Sequence, residues 1–526
     1  MDYFDIYVII NLISEVGDFL VTKITSSALN GVDGYIVIVE TDIGRGMPAF
    51  DIVGLPGSAV KESRDRVKSA IKNSGIDFPV KHITVNLAPA HTKKEGPAFD
   101  LPIAVSILGG IEAINAAKLT KVVFLGELSL DGSLRPVKGV LSMVHSAYKE
   151  GYTKFVVPIQ NAKEAALVDG ADVYGVESLS ELLAHLKKPH LKPVKADENN
   201  KPDCNNLNVG LDFSDVKGQY KVKRALEIAA SGYHNILMLG PPGSGKTMMA
   251  KRLPGIMPPL QLYESIEVTK IYSVCGLLRQ ENALVTERPF RSPHHTSSYP
   301  SLAGGGGNPK PGEMSLAHKG ILFLDELPEF SRNTLETLRQ PMEDKSITIA
   351  RAVNTLTYPC DFMLVAAMNP CPCGNLYSEN DCKCSGTQIR QYMNKISEPL
   401  LDRIDIHVET TMPTYEEAQS ASSGESSEDI RVRVLKAIEI QRKRYESSGI
   451  LYNSQLSAKE IEKFCTVDKG SKEIIKNTFE KLGFSIRGYH KILKIARTIA
   501  DLDGSENIHE IHALEAVNFR RLMQER

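Results

Sequence analysis

A glycine-rich run followed by lysine and threonine carries the clearest chemical pattern in the sequence. It consists of Gly240, Pro241, Pro242, Gly243, Ser244, Gly245, Lys246 and Thr247, which fit the pattern G-x-x-x-x-G-K-[ST]. In such a run, backbone N–H groups curl around phosphate oxygens, and the helix N-terminus behind them adds a favourable dipole. Lys246 would bind the β- and γ-phosphates of a nucleotide, and Thr247 would ligate Mg²⁺. The apolar run at 236–239 and the helical stretch from 248 supply the strand and helix that the motif requires, which disfavours a chance turn.

Two acidic residues end a second apolar run further along the chain. Asp325 and Glu326 follow the segment Ile321–Leu324, which predicts a buried strand. A parallel sheet would bring both carboxylates to its phosphate-binding edge. There Asp325 would hold Mg²⁺, and Glu326 would polarise the water that attacks the γ-phosphate.

Polar residues after later apolar runs would complete this site. Asn369 follows a third strand candidate at 362–367, and its amide would orient the same water. Arg403 follows an apolar pair, but the residues alone favour an ordinary ion pair with Asp402 or Asp405.

Four cysteines lie within 14 residues of one another: Cys371, Cys373, Cys382 and Cys384. Two pairs that bracket a turn-rich loop would close a tetrahedral set of four sulfur ligands for Zn²⁺. The C-x-C spacing is tighter than the commoner C-x-x-C spacing. The sequence therefore predicts structural zinc here, with reduced thiols and reversible disulfides as the alternatives.

Length and charge bound the kind of protein to which these residues belong. The chain has 526 residues, which indicates about three to four domains. Its 62 basic and 64 acidic residues give a net charge of −2. A strongly basic nucleic-acid coat is thus excluded, and any polyanion must meet local patches. The apolar start of the chain lacks a basic region and is too short to span a bilayer, so we expect a soluble protein of a reducing compartment.

Hydrophobic patterning divides the chain into blocks that would position these residues. We expect an N-terminal extension at 1–20, a mixed α/β domain at 21–186, a linker at 187–210, a nucleotide-binding α/β core at 211–412 and a helical domain at 413–526. The linker is rich in Pro, Asn and Lys and has almost no bulky apolar residues, so it cannot pack a core. In the first domain, the patterns predict strands at 34–39, 82–87 and 121–125 and a helix at 59–74.

These motifs together resemble those of the AAA+ ATPases and, more narrowly, of the magnesium-chelatase-like ComM/YifB family. The resemblance covers nearly the whole chain from Val21. It rests on the strings PAFDIVGLP at 48–56, VNLAPA at 85–90, FRSPHH at 290–295, FLDELPEF at 323–330 and NPCPCG at 369–374. It implies an α/β chain with a Lon-protease-like α+β N-terminal domain, an AAA+ P-loop core and a C-terminal helical lid.

The resemblance implies further roles around the nucleotide. Asn369 matches sensor 1, Arg403 matches the arginine finger that reaches the nucleotide of a neighbouring subunit, and Arg487 matches sensor 2 on the lid. In this context the arginine finger replaces the ordinary ion pair as the favoured interpretation of Arg403. An arginine that acts on a neighbour implies a ring, and the related machines are hexamers.

Two segments of the core resemble the channel-lining elements of ring ATPases. The glycine-rich block at 287–319 resembles the pore insert of the helix-2-insert clade. For His294 and His295 in this block, we favour a structural or coupling role over metal binding. The alternating run at 346–352 predicts one arm of a hairpin, with Arg351 where hexameric helicases carry a pore lysine. Repeated around a ring, Arg351 would track a DNA backbone without a basic protein overall. The alternative is a surface hairpin with a solvated arginine.

The N-terminal domain resembles the Lon proteolytic domain but departs from it at both catalytic positions. Ala98 stands where Lon proteases have the nucleophilic serine, and Leu141 stands where they have the catalytic lysine. Without a nucleophile and a base there is no covalent route to peptide hydrolysis. We therefore expect a non-proteolytic domain that serves assembly or DNA contact.

The resemblance implies a ring-forming, Mg²⁺-dependent ATP hydrolase of the cytoplasm. Its expected activity is DNA translocation and branch migration as a helicase in natural transformation or recombination. The expected cofactors are ATP, Mg²⁺ and structural Zn²⁺, and the expected partners are further copies of the chain in a homohexamer and single-stranded or branched DNA, with no membrane. The alternatives are a magnesium-chelatase-like subunit, a regulatory AAA+ protein-remodelling ATPase and an ATP-dependent protease. Ala98 and Leu141 weaken the protease alternative, and the fused Lon-like domain and the cysteines argue against the chelatase.

Overall fold

The chain forms two compact units, each with its own hydrophobic core. The computed structural model describes residues 21–195, 210–278, 283–306, 309–350, 355–376, 381–412, 424–482 and 485–521. Unit 1 comprises Met1–Lys201 and Thr269–Val285, and unit 2 comprises Pro202–Val268 and Thr286–Arg526. Within the described ranges, no helix is both long and apolar enough to cross a membrane.

Unit 1 is built around a seven-stranded mixed sheet. The strands described in unit 1 are β1 (Thr22–Asn30), β2 (Asp33–Gly44), β3 (Ala49–Val53), β4 (His82–Ala88), β5 (Val122–Phe124), β6 (Glu127–Leu128), β7 (Leu134–Arg135), β8 (Lys154–Pro158) and β9 (Asp172–Val176). The sheet order is β3-β4-β2-β1-β5-β8-β9, and β6 pairs with β7 separately. The pairs β1–β2 and β2–β4 are antiparallel, and the other pairs of the large sheet are parallel. Alternation along β4 buries Ile83, Val85 and Leu87 in the core.

The helices of unit 1 bury apolar residues in two core clusters. They are α1 (Ser58–Asn73), α2 (Asp100–Gly110), α3 (Val140–Lys149), α4 (Ile159–Ala165) and α5 (Leu179–Lys187). On α1 the buried residues include Val60, Val67 and Ile71, at the spacing of one helix face. The predicted helix at 59–74 and the predicted strands at 34–39, 82–87 and 121–125 are confirmed as α1, β2, β4 and β5.

Unit 2 contains a five-stranded sheet that is wholly parallel. Its strands are β10 (Ile236–Leu239), β11 (Phe290–Arg291), β14 (Ile321–Leu324), β17 (Met363–Met368) and β18 (Ile406–Glu409). The order is β11-β14-β17-β10-β18. Every residue of β10, β14 and β17 is buried, which explains why these strands appear in the sequence as unbroken apolar runs. Because all five strands are parallel, the loops after them leave from one edge of the sheet.

Two small hairpins accompany this sheet in unit 2. In the first, β12 (Gly304–Gly305) pairs with β13 (Lys310–Pro311). In the second, β15 (Ser346–Ala350) pairs with β16 (Thr355–Pro359), which confirms the hairpin predicted from the alternating run. Arg351 lies outside the described residues.

The remaining helices complete both units. They are α6 (Tyr220–Gly232), α7 (Lys246–Arg252), α8 (Leu262–Cys275), α9 (Tyr299–Ala303), α10 (Glu313–Leu316), α11 (Arg332–Glu336), α12 (Arg339–Asp344), α13 (Gly386–Met393), α14 (Glu398–Leu401), α15 (Ser427–Tyr445), α16 (Ala458–Phe464), α17 (Lys469–Leu482), α18 (Ile486–Leu502) and α19 (Glu510–Arg521). Helices α15 to α19 form the C-terminal part, and their buried Ile438, Ile492 and Ile499 belong to the same core cluster as β10. This part of unit 2 therefore packs as one body with the sheet.

Candidate functional site

The glycine-rich loop connects the buried strand β10 to helix α7 at the carboxyl edge of the parallel sheet. The loop follows Leu239, and α7 begins at Lys246. Gly245, the residue before the helix, has φ +85°, a conformation that L side chains rarely adopt. The turn that starts the helix therefore requires glycine at this position, and it places the lysine and threonine side chains directly beside the loop.

Lys246 is buried at the centre of this edge. Its Nζ donates to the carbonyl oxygens of Gly240 at 2.6 Å and Pro241 at 2.8 Å, and to Asn369 Oδ1 at 3.3 Å. Burial lowers the pKa of Lys246 to about 8, although nearby Asp325 acts to raise it. The structure thus brings together the predicted phosphate-binding lysine and the predicted sensor amide.

Thr247 and Asp325 form the oxygen pair predicted to hold Mg²⁺. The Thr247 hydroxyl donates to Asp325 Oδ2 at 2.5 Å, and the second carboxylate oxygen accepts the Glu326 N–H at 2.9 Å. A hydroxyl from the first turn of α7 and a carboxylate that follows β14 converge here, and oxygen atoms are the ligands that Mg²⁺ prefers. The residues present therefore fit a magnesium ion, which Thr247 and Asp325 would hold and which would supply positive charge beside bound phosphates.

Glu326 lies next to this pair with its side chain half exposed. Its backbone has φ +51°, a left-handed conformation that ends the extended run of β14. His295 Nδ1 lies 3.0 Å from Glu326 Oε2. Sequence reasoning singled out His295 as a structural or coupling residue but missed its partner, because 31 positions separate the two residues in the chain.

The two predicted arginines lie together beside Glu343. Arg403 Nη2 is 2.7 Å from Glu343 Oε1, and its Nη1 donates to the Pro399 carbonyl at 2.7 Å. Arg487 Nη2 is 3.8 Å from the same Glu343 oxygen. Among the residues that the structure describes, no hydrogen bond or ion pair joins either arginine to 240–247. Sequence reasoning missed Glu343, since nothing in its local pattern marks it.

The four clustered cysteines fit a tetrahedral metal site. Their sulfur atoms all lie within 4.8 Å of one another. Cys371 Sγ is 3.4 Å from Cys373 Sγ and 3.7 Å from Cys382 Sγ, and the latter two are 3.7 Å apart. A tetrahedron with Zn–S bonds of about 2.3 Å has edges of about 3.8 Å, whereas a disulfide needs about 2.05 Å. The spacing matches zinc ligation by all four, including Cys384, rather than disulfide bonding.

This cysteine cluster begins two residues after Asn369 and touches the glycine-rich loop. Gly374 has φ +81°, and its N–H donates to the Cys371 carbonyl at 3.0 Å. A Cβ at Gly374 would lie 2.6 Å from Pro242 Cδ. The cluster therefore packs tightly against the loop that surrounds Lys246.

The position of Lys246, Asp325 and Glu326 at the edge of a five-stranded parallel sheet defines a P-loop ATPase core of the AAA+ class. The family model of magnesium chelatase subunit ChlI matches residues 212–418. Further models match residues 39–161 (subunit ChlI of Mg-chelatase) and 424–520 (the ChlI C-terminal part).

Similar proteins narrow this class. Competence protein ComM of Haemophilus influenzae is 43% identical over 504 residues, covering 95% of this chain and 97% of that protein. YifB of Escherichia coli is 43% identical over 500 residues, covering 95% and 96%. Lon protease of Rhizobium meliloti is 24% identical over 197 residues, covering 35% and 24%. The chain belongs to the ComM/YifB family of magnesium-chelatase-like AAA+ proteins, as its sequence predicted. Membership supports an ATPase and implies ATP and Mg²⁺ as cofactors.

Proposed function

We propose that the protein is a ring-forming, Mg²⁺-dependent ATPase that drives DNA translocation and branch migration in natural transformation or recombination. The observation that carries the ATPase part is the convergence of Lys246, Thr247, Asp325 and Asn369 at one sheet edge. The DNA part is supported by similarity to the Haemophilus influenzae competence protein ComM. We place this activity in the cytoplasm.

Each residue of the edge has a proposed task. Loop residues 240–245 and Lys246 bind the phosphates, and Thr247 and Asp325 hold Mg²⁺, which neutralises charge on the β- and γ-phosphates. Glu326 polarises the attacking water, and Asn369 orients it. Replacing Lys246 by Ala, or Glu326 by Gln, should abolish phosphate release from ATP. Unchanged hydrolysis in either purified variant would refute the assignment.

We propose that Arg403 acts as an arginine finger on the nucleotide of a neighbouring subunit in a homohexamer, and that Arg487 serves as sensor 2 on the lid. In support, Arg403 pairs with Glu343, and among the described residues no hydrogen bond or ion pair joins it to 240–247 of its own subunit. A head-to-tail ring makes this testable by mixing Lys246→Ala and Arg403→Ala subunits, each inactive alone. In an equal mixture, about a quarter of the sites pair an intact loop with an intact arginine, so about a quarter of wild-type activity should return. No recovery in a mixture shown by size to form rings would contradict action in trans.

The DNA assignment rests on the two hairpins of unit 2. Tyr358 in β16 donates its hydroxyl to the Pro309 carbonyl at 2.7 Å, so the segment before β13 is tied to the second hairpin. Arg351, which lies outside the described residues and follows Ala350 in the sequence, is the proposed DNA contact. The decisive assay is migration of a four-way junction with ATP, together with ATPase rates with and without single-stranded DNA. Arg351→Ala should weaken the DNA-stimulated rate and spare the basal rate.

The family models favour one other function, an ATPase that remodels a protein partner as a magnesium-chelatase-like or regulatory subunit. In that case a protein, and not DNA, would stimulate hydrolysis, so the same assay separates the two. A protease is disfavoured because Ala98 and Leu141 are buried apolar residues at the two catalytic positions. We propose that the 21–186 domain is non-proteolytic and serves assembly or DNA contact, that 187–210 links it to the 211–412 core, and that 413–526 is the lid.

We propose structural zinc at the cysteine cluster. Protein purified without chelators should contain about one Zn²⁺ per chain. Cys373→Ser with Cys382→Ser should remove the metal, whereas Cys275→Ser, outside the cluster, should retain it. Metal-free wild-type protein would refute the site.

A further inference from the structure

The backbone that follows Arg403 is held by an arginine from the last helix of unit 2. Arg520 lies on α19, and its Nη1 donates to the Ile404 carbonyl oxygen at 2.7 Å and to the Asp405 carbonyl oxygen at 3.2 Å. The Arg520 side chain is only 5% exposed. Because a buried guanidinium is costly unless its donors are paired, these contacts fix α19 and the 404–405 backbone against each other.

The residue before Arg403 contacts the same helical part of the chain. Arg520 Nη2 lies 3.6 Å from Asp402 Oδ1, and the Ser485 hydroxyl donates to that oxygen at 3.4 Å. Ser485 also caps α18, since its Oγ accepts the Gly488 N–H at 3.0 Å. Helices α18 and α19 therefore contact the residues on either side of Arg403.

The sheet holds the opposite side of this backbone. The N–H groups of Asp405 and Ile406 both donate to the Asn235 carbonyl oxygen, at 2.9 and 3.0 Å. Ile406 begins β18, the strand at the end of the sheet order. The sheet thus pairs the N–H groups of this segment, and Arg520 pairs its carbonyl groups. Backbone that is paired on both sides has little freedom, so the place from which the Arg403 side chain projects depends on both sets of contacts.

Arginine has the geometry that this position needs. Its guanidinium is planar and presents five N–H donors in fixed directions. One group therefore bridges two successive carbonyl oxygens and still approaches the Asp402 carboxylate. Lysine at position 520 would keep the charge but present it as a single point on a flexible stem, so it would hold the 404–405 backbone less firmly.

We propose that Arg520 is a positioning residue for the arginine finger, which holds the 404–405 backbone so that Arg403 projects toward the nucleotide of the neighbouring subunit. This inference rests on the proposed function, in which Arg403 acts in trans. Among the described residues, no hydrogen bond or ion pair joins Arg520 to 240–247. Arg520 therefore affects the finger that its subunit supplies, and not the nucleotide loop of that subunit.

The first test measures steady-state ATP hydrolysis of the full-length Arg520→Gln variant. An arginine finger is worth about 10³-fold or more in kcat, and a small displacement of a catalytic group costs up to about 100-fold. The glutamine amide carries no charge and replaces only part of the contacts, so kcat should fall about tenfold while KM for ATP stays within about twofold of wild type. Arg520→Lys, which still donates to a carbonyl oxygen, should recover to within about threefold of the wild-type kcat.

Mixed rings show on which side of the subunit interface the defect lies. In an equal mixture of Arg520→Gln and Lys246→Ala subunits, about a quarter of the sites pair an intact glycine-rich loop with a correctly held Arg403. About a quarter of wild-type activity should therefore return. In an equal mixture with Arg403→Ala subunits no site has both, so the rate should equal the mean of the two variants measured separately.

Arg224→Gln is the matched control. Arg224 also binds α19, since its Nε donates to Glu515 Oε1 at 3.0 Å. Within the described ranges, no hydrogen bond or ion pair joins Arg224 to 402–405. This substitution therefore loosens the same helix without releasing the backbone beside the finger, and it should keep the wild-type kcat.

Three results would overturn the positioning role in rings whose size is verified: a wild-type kcat for Arg520→Gln, low activity in both mixtures, or recovery with Arg403→Ala in place of Lys246→Ala. If Arg520→Gln does not fold, the same mixtures are made with Arg520→Lys, and an unchanged kcat of that variant would overturn the role. Full activity of Arg403→Ala would instead refute the arginine finger itself, so the two failures are distinguishable.

Discussion

Asp405 is the acidic centre of a buried polar network that joins helix α18 to the sheet of unit 2. Its Oδ1 lies 2.6 Å from Lys491 Nζ, and its Oδ2 accepts the Asn235 N–H at 3.1 Å and lies 3.4 Å from His234 Nδ1. Burial would raise the pKa of Asp405, but the positive charge of Lys491 and the contact with His234 hold it well below its ordinary value. We therefore predict that Asp405→Asn destabilises unit 2.

The size of the effect follows from what the substitution leaves behind. Asparagine still accepts the Asn235 N–H, but Lys491, whose side chain is only 16% exposed, loses its counter-charge. Uncompensated buried charges cost about 3–5 kcal/mol, and the retained hydrogen bond places this variant near the lower end, at about 3 kcal/mol. A carboxylate with a depressed pKa contributes stability above its unfolded pKa of about 3.9, and that contribution is lost as the pH falls toward the folded value. The loss of unfolding free energy caused by Asp405→Asn should therefore be smaller in acid than at neutral pH.

The assay is urea unfolding followed by far-ultraviolet circular dichroism at neutral pH and near pH 3. Glu439→Gln is the control, because the Glu439–Lys443 pair is exposed on one helix face and its loss should leave the unfolding midpoint unchanged. A loss below about 1 kcal/mol at neutral pH, or an equal deficit at both pH values, would refute the reasoning.

Two further predictions concern the nucleotide edge. Burial lowers the pKa of Lys246 to about 8, and bound phosphate favours the charged form of this lysine. The affinity for Mg²⁺–ATP should therefore decline as the pH rises through about 8. Equal dissociation constants, measured by calorimetry at pH 7 and about pH 9, would contradict this prediction. Gly374→Ala should weaken ATP binding about tenfold, since its Cβ would press on Pro242 and its φ of +81° is strained for alanine. Gly504→Ala, with φ +68° but open space around its Cβ, should bind ATP as wild type does.

Local pattern was enough to predict the elements that carry the nucleotide edge. The run Ile321–Leu324 is apolar at every position because β14 is buried on both faces, and the acids that end it necessarily lie at the sheet edge. The alternation at 346–350 likewise predicts β15, because one face of that hairpin packs inward. Where the spacing of apolar residues matches their burial in the fold, the sequence alone predicts which strand carries a residue.

The contacts of the site depend on long-range pairing that no local period encodes. His295 reaches Glu326 only through the register of β11 on β14, and register between distant strands is not visible in either segment alone. Arg403, expected to pair with Asp402 or Asp405 if it were an ordinary surface residue, instead pairs with Glu343 of α12. Residues 269–285 were expected within the 211–412 nucleotide-binding domain, but they cluster with unit 1. There the Ser273 hydroxyl donates to the buried Glu164 carboxylate.

The sharing of Glu343 by two arginines has a thermodynamic consequence. One carboxylate oxygen serves both Arg403, at 2.7 Å, and Arg487, at 3.8 Å. If either guanidinium moves away to bind an anion, the other no longer shares the Glu343 carboxylate. Its electrostatic attraction to Glu343 then increases, and more free energy is needed to withdraw it. The free energies of recruiting the two arginines are therefore coupled, and a double-mutant cycle across them should deviate from additivity by about 0.5 kcal/mol or more. Because Arg487 is held more weakly than Arg403, withdrawing it from Glu343 requires less free energy.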